Sequence, residues 1–240
     1  MNYKVDPNLH IWGWEIALYL FLGGLAAGVL FFAALYYLRG KENMYQSAVK
    51  WVPMLTPFLL AIGLGALFLD LHHKPYFWRL YTTIKLQSPM SWGAWTLMVV
   101  TPLSIIWSAT YVREVFPKWD WKFKWIYTVE KYLIDNRRSL AWIMIVFSVI
   151  LGIYTGILLS AFNARPLWNT SILGPLFLVS GLSAGAALIM MLSRNPLERK
   201  QFSKIDLLLI AIELALIIHM FMGFRASSQV QIDAAGLFLG

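Results

Sequence analysis

Six stretches of this chain are long enough and apolar enough, as helices, to cross the hydrocarbon core of a membrane. They run at about 16–38, 51–70, 91–112, 139–163, 168–193 and 206–224. A core about 30 Å thick takes about 20 helical residues. The first five contain no Lys, Arg, Asp or Glu except Asp70 at the end of the second. Only 13% of the 240 residues are charged and 59% are apolar, against about 25% charged in a soluble domain. A membrane β-barrel is excluded, because its strands would alternate polar and apolar at every second residue. The pattern predicts an all-α, polytopic transmembrane bundle with six full helices.

Two further features fix the ends of this reading. The first run is too long for a cleavable signal peptide, and Asp6 and Glu15 stand where a basic leader would be. At the other end, Ala234-Ala235-Gly236-Leu237-Phe238-Leu239-Gly240 reads as the opening turns of a seventh helix. The chain is therefore expected to continue beyond the sequence given.

A short signature is repeated within the apolar runs. Gly24-Leu25-Ala26-Ala27-Gly28 in the first returns as Gly181-Leu182-Ser183-Ala184-Gly185 in the fifth. Small residues four apart lie on one helix face and let a second backbone approach closely. The repetition predicts two related halves. We divide the chain into 1–138, a first bundle with its following loop, and 139–240, the fourth helix with an incomplete second bundle.

Charge sets the orientation. The connections after the first, third and fifth segments hold most of the Lys and Arg: Arg39, Lys41 and Lys50, then the run from Arg113 to Arg138, then Arg194, Arg199, Lys200 and Lys204. The positive-inside rule places these connections in the cytoplasm, and the N-terminus and even connections outside. The net charge of +8 is then a topology signal rather than a nucleic-acid surface. The basic connections read as ordinary solvated loops. Cysteine is absent, so this chain supplies no thiolate for an iron–sulfur cluster or a haem.

The opposite face gathers unusual side chains. His10, Trp12, Trp14 and Glu15 enter the first helix, and Asp70, His72, His73 and Arg79 follow the second. Ser88-Pro89-Met90-Ser91-Trp92-Gly93 opens the third helix, and Arg165-Pro166-Leu167-Trp168-Asn169 joins the fourth to the fifth. Taken singly, each has a plain explanation as an interfacial aromatic, a helix starter or a solvated helix end. Their concentration on one face is harder to explain that way. Three residues lie deeper. Tyr154 is expected about 15 Å down the fourth helix at 1.5 Å per residue, and a buried hydroxyl there needs a partner. Glu213 lies near the middle of the sixth helix with His219 closer to the outside; ionisable groups at such depth are candidates for a proton path.

The stretch Tyr154-Thr-Gly-Ile-Leu-Leu-Ser-Ala-Phe-Asn-Ala-Arg165-Pro-Leu-Trp-Asn169, followed by the second glycine-rich helix, resembles the NrfD/PsrC family of membrane subunits of polysulphide, nitrite and related reductases. The resemblance extends to Trp14-Glu15 with Gly23-Gly24, to Asp70 and Arg79, and to Ser88-Pro89-Met90-Ser91-Trp92-Gly93. It implies eight helices in two four-helix bundles of a bacterial inner-membrane protein, with a quinone site, for menaquinone or ubiquinone, near the outer face. It also implies a ferredoxin-like iron–sulfur partner attached to a molybdopterin or multihaem cytochrome catalytic subunit. Tyr154 matches the family tyrosine that contacts the quinone head group. Tyr19 stands where some relatives carry a histidine near the quinone, a departure from the pattern. The site residues expected are thus Tyr154, Tyr19, Glu15 and His72 around the quinone, with Glu15, Asp70 or His72 as proton acceptor. Glu213 and His219 form a candidate proton path, and Arg79, Arg165 and Trp168 a docking surface. The expected partners are those subunits and membrane lipid, without nucleic acid and without a metal held by this chain.

Two other classes compete on the residues alone. A secondary transporter or ion channel would also suit the repeat, the packing glycines and Glu213. A haem b quinol oxidase would need paired axial histidines. The sequence offers only His10, His72, His73 and His219, of which at most His72 and His219 are expected to share a depth.

Overall fold

The computed structural model describes residues 13–71, 73–82, 85, 88–121, 123–161, 167–225, 231–232 and 236. Its main helices are α1 (Trp14–Leu38), α2 (Thr56–Asp70), α3 (Arg79–Thr82), α4 (Pro89–Val115), α5 (Lys124–Asp135), α6 (Arg137–Ser160), α7 (Leu173–Leu192) and α8 (Pro196–Arg225). A π-helical turn at Ser47–Trp51 and a 3-10 turn at Val52–Leu55 lead into α2. Among the described residues, six runs are long and apolar enough to span a membrane, namely α1, Ser47–Asp70, α4, α6, α7 and α8. No strand occurs among the described residues. The all-α polytopic reading holds.

Helix α1 is the axis of the assembly and packs against α2, α6 and α7. In its most apolar window 72% of the residues are buried, against 11% in α8, which leans chiefly on α7. The two glycine signatures meet each other directly. A Cβ at Gly28 would collide with the Gly181 carbonyl, and one at Gly185 would come within 2.6 Å of the Gly28 carbonyl carbon. Any side chain there would force the helices apart. Lipid tails are as apolar as the helices, so close backbone packing supplies the attraction that water supplies elsewhere. The C-terminus of α1 is closed by Gly40 at φ +66°. Its N–H donates to the Tyr37 carbonyl at 2.9 Å, and the Lys41 N–H to that of Tyr36 at 3.0 Å. This is the left-handed glycine cap that satisfies the last carbonyls of a helix.

Prolines shape the second span. Pro53 has no N–H to offer the Val49 carbonyl, and the Trp107 indole N–H of α4 donates to it instead at 3.1 Å. Pro57 likewise has no N–H for the Pro53 carbonyl, which accepts the Thr56 N–H in a tighter turn instead. The Thr56 hydroxyl donates to it at 2.6 Å and the Ser108 hydroxyl reaches it at 3.4 Å. Inside a bilayer no water can do this, so neighbouring side chains must.

The span edges differ from the sequence reading where charge interrupts a helix without ending it. The sixth helix starts at Pro196 instead of 206. The Asn195 side-chain oxygen accepts the Leu197 N–H at 3.0 Å, and Phe202 buries its ring against Phe32, Tyr36 and Tyr45. The fifth starts at Leu173 instead of 168, because residues 167–172 form turns, with the Thr170 N–H on the Trp168 carbonyl at 2.8 Å. The fourth ends at Ser160 instead of 163. The tail expected to open a seventh helix lies mostly outside the described residues.

The basic connections are not ordinary solvated loops. Arg137, at the start of α6, is buried with Glu114 at 3.0 Å, donates to the Thr110 carbonyl and lies 3.9 Å from the Tyr111 ring centre. Lys50 pairs with Glu114 from the other side at 2.7 Å. The Tyr111 hydroxyl donates to Glu42 at 3.0 Å. Within the run 113–138, α5 is tied back by its buried Glu130, which accepts from Arg113 at 3.3 Å and from the Trp121 indole at 3.2 Å. Glu198 of α8 is buried too, accepting the Ala48 N–H at 2.8 Å and the Ser193 hydroxyl at 2.6 Å. Desolvated acids and bases are held by ion pairs and hydrogen bonds: Arg137 and Glu130 have ion-pair partners and Glu198 two neutral donors, while the Arg137 Nε has no partner among the described residues.

Candidate functional site

At the end opposite the basic connections, four spans converge on two tyrosines. Tyr19 projects from α1 and Tyr154 from α6; both are buried, and their hydroxyls are neighbours. The floor under them is backbone. A Cβ at Gly93, one turn into α4, would collide with the Tyr154 ring and hydroxyl. A Cβ at Gly63 of α2 would lie 3.8 Å from Tyr19. Tyr81 of α3 faces Tyr19 from the adjoining connection. The motif Ser88–Gly93 therefore has a physical role: Pro89 starts α4, and glycine one turn later admits a phenol ring where any side chain would exclude it.

The pair can donate a hydrogen bond outward. Two phenols carry two O–H protons. A bond between the two hydroxyls would use one at most, so at least one is left for an acceptor such as a carbonyl oxygen. Glu15 lies one helical turn nearer the end than Tyr19 and on the same face of α1, four residues away. It is half-buried, and its carboxylate folds back over Gly13, toward the positive end of the helix dipole.

The remaining expected site residues are spread more widely. Asp70 ends α2 and is exposed. Arg79 lies over the Tyr76 ring at 4.7 Å and the Trp78 ring at 5.7 Å, forming an exposed cationic and aromatic patch. Trp168 lies in the turn before α7, beside Asn169, whose carbonyl accepts from Gln231 at 3.2 Å. Glu213 is half-buried and His219 exposed on α8, away from the tyrosine pair. His10, Trp12, His72, Arg165 and Pro166 lie outside the described residues. Tyr154 sits closer to the end of its helix than expected. With α6 ending at Ser160, it is about 9 Å from that end at 1.5 Å per residue, instead of about 15 Å.

Sequence reasoning named Tyr19 and Tyr154 separately and missed that the two side chains meet. It also missed the acids at the basic end. The available signal there was four glutamates, 42, 114, 130 and 198, set singly among basic residues.

Comparison with known proteins agrees with the fold and with the motifs. Residues 3–239 match the family described as polysulphide reductase, NrfD. The sequence is 33% identical to a polysulfide reductase component of Wolinella succinogenes over 183 residues, covering 74% of this protein and 56% of that one. It is 32% identical to protein NrfD of Escherichia coli, covering 96% of this protein and 76% of that one. A component of the tetrathionate reductase of Salmonella typhimurium is 26% identical, over 76% of this protein and 49% of its own length. The chain thus spans about half to three-quarters of the curated relatives it matches. With six helices among the described residues long and apolar enough to cross a membrane and this match along its length, the chain belongs to the polysulphide reductase NrfD family of multi-pass membrane proteins.

Proposed function

We propose that this chain is the quinone-interacting membrane subunit of a bacterial respiratory oxidoreductase complex. The observation that carries the reading is the hydroxyl pair of Tyr19 and Tyr154, seated on the bare backbone of Gly93 and left with at least one proton to donate. A quinone head group offers two carbonyl acceptors and an apolar ring, and the pair suits one of those oxygens. When bound, a quinone would supply two-electron, two-proton redox chemistry. The residues of the chain bind, orient and manage protons. Tyr154 holds the head-group oxygen, Tyr19 fixes the Tyr154 hydroxyl, and Glu15 takes or gives a proton one turn away at the mouth; Asp70 and His72 are the alternative acceptors.

The wider assembly follows from the same reading. The relatives named as reductase components favour a complex in which the terminal chemistry sits on other polypeptides. Lacking cysteine, this chain would exchange electrons with a ferredoxin-like iron–sulfur subunit, itself joined to a molybdopterin or multihaem subunit. The stacked Arg79 patch, Arg165 and Trp168 form the proposed docking surface. We place this face outside the bacterial inner membrane, since the basic connections fall at the other end. Glu213 and His219 are the proposed members of a proton path, and the proposed organisation is two related bundles, 1–138 and 139–240.

The test is Tyr154→Phe in the complex purified from native membranes. Losing a hydrogen-bond donor aimed at the reacting group costs about a hundredfold in turnover. Quinol-linked turnover should fall by that order while the partner subunits still co-purify. Unchanged turnover, or a protein that purifies alone and binds no quinone, would sink the reading and favour a transporter.

A further inference from the structure

We propose that the cavity at the basic end is a phospholipid site, with the phosphodiester on Arg194 and an acyl tail along Trp51, Leu55 and Leu192. The cavity has a volume of about 630 Å³, within the range of small-molecule sites. It lies between the first connection, the start of the second span and the corner joining α7 to α8.

Its lining is divided as an amphiphile requires. Asn43, Gln46, Arg194 and Asn195 form the polar part. Trp51, Leu55 and Leu192 form the apolar part and remain 50%, 41% and 48% exposed on the outside of the bundle. Leu55 is one helical turn deeper along the second span than Trp51, so the apolar wall runs from the level of the connection into the membrane. Arg194 is exposed and belongs to none of the ion pairs among the described residues. Glu198 also lines the cavity, but its oxygens are engaged by the Ala48 N–H and the Ser193 hydroxyl. Arg194 is therefore the charge presented to a head group, and guanidinium forks suit phosphate oxygens.

The site is built, not a gap between loose loops. The Asn195 amide donates to the Met44 carbonyl at 3.1 Å, and the Ser47 and Ser193 hydroxyls meet at 3.3 Å. These bonds tie the first connection to the fifth. The wall includes the π-helical turn Ser47–Trp51, a local widening that recurs at functional sites. A basic pocket between helices at the membrane surface fits a lipid head group. Free phosphate would use Arg194 and leave the apolar wall unused.

The experiment titrates the detergent-purified protein, with any subunits that accompany it, with micelles doped with palmitoyl-oleoyl phosphatidylglycerol or phosphatidylethanolamine. Bound lipid is counted by native mass spectrometry, and sodium phosphate serves as the parallel probe. Arg194→Gln should weaken phospholipid binding about fivefold. Arg199→Gln, an exposed arginine of α8 outside the cavity, should leave it unchanged. Leu55→Trp narrows the wall without touching the arginine and should also weaken binding. Equal binding by the two arginine variants overturns the proposal, as does phosphate binding as tightly as lipid, or recovery of quinone instead of phospholipid from this cavity.

Discussion

The two ends of the bundle use polar residues in opposite ways. At the basic end, Arg137, Glu114, Lys50 and Glu130 form ion pairs within the chain, and Glu198 is hydrogen-bonded to neutral donors. At the aromatic end, Glu15, Asp70 and Arg79 form no ion pair among the described residues, and the buried polar contact is a neutral tyrosine pair. A satisfied ionic network holds helices in place and has little capacity left for a ligand. A neutral pair with a proton to spare does little for stability and leaves a donor for something else. Stability and function should therefore separate along the membrane normal, and substitutions at the two ends can test this.

The largest effect is expected at Arg137. Alanine there leaves Glu114 and the Thr110 carbonyl short of a donor beside the Tyr111 ring. Glu114 is 41% exposed and keeps Lys50, so the cost is chiefly the charge-assisted bond to the Thr110 carbonyl and the contact with the Tyr111 ring, about 3 kcal/mol together. Thermal unfolding in detergent should show that loss, while any complex that survives should turn over normally. A stable Arg137→Ala protein with impaired turnover would reverse the assignment of the two ends.

Gly93→Ala should do the opposite. The added methyl meets the far end of the Tyr154 ring instead of backbone, so the ring can move aside at modest cost to folding. A displacement of about 1 Å can cost about a hundredfold in rate. Turnover should fall by that order with the melting temperature little changed. If stability collapses instead, Gly93 is a packing glycine like Gly28 and the site lies elsewhere.

How much of this was legible in advance follows the same division. Apolar length gave the six spans, because crossing a bilayer is a property of a single segment. Gly24, Gly28, Gly181 and Gly185 announced a close contact, since only backbone packing calls for small residues at that spacing. That the two copies contact each other is a tertiary fact, although the repetition hinted at it. Tyr154 was visible as a lone hydroxyl in an apolar run. The pairing with Tyr19 was not, since nothing local links α1 to α6. The basic end misled for a physical reason: a charged residue in a hydropathy window looks the same whether it is solvated or folded between helices. Arg137 and Glu198 therefore read as loop residues, and the early start of α8 was hidden.

A smaller test probes the basic end without touching a charge. Trp107→Phe keeps the aromatic volume against Tyr37 and Tyr111 but removes the donor to the Val49 carbonyl, which Pro53 cannot serve. One buried carbonyl left unpaired should cost about 1 kcal/mol, seen as a lowered melting temperature at normal turnover. No change would mean that another donor reaches Val49, and the proline-bound start of the second span would be less constrained than its geometry suggests.

The smallest expected effect sharpens the aromatic end. Glu15 sits at the mouth, where water can stand in for it, so Glu15→Gln should slow quinol-linked turnover only about threefold, far less than the loss of a positioned general base. Its signature is in the pH profile. A carboxylate accepts a proton only when ionised, so an acceptor of this kind gives the parent rate an acid-side fall. Glutamine cannot titrate, and that acid-side fall should disappear in the variant. If the acid limb survives unchanged, the acceptor is another group at the same mouth, and Asp70→Asn and His72→Gln become the next variants to measure. If the limb disappears while Tyr154→Phe keeps full turnover, proton traffic passes through this end without the tyrosine pair. The contrast between a structural basic end and a chemical aromatic end would then stand, but with Glu15 at its centre instead of Tyr154.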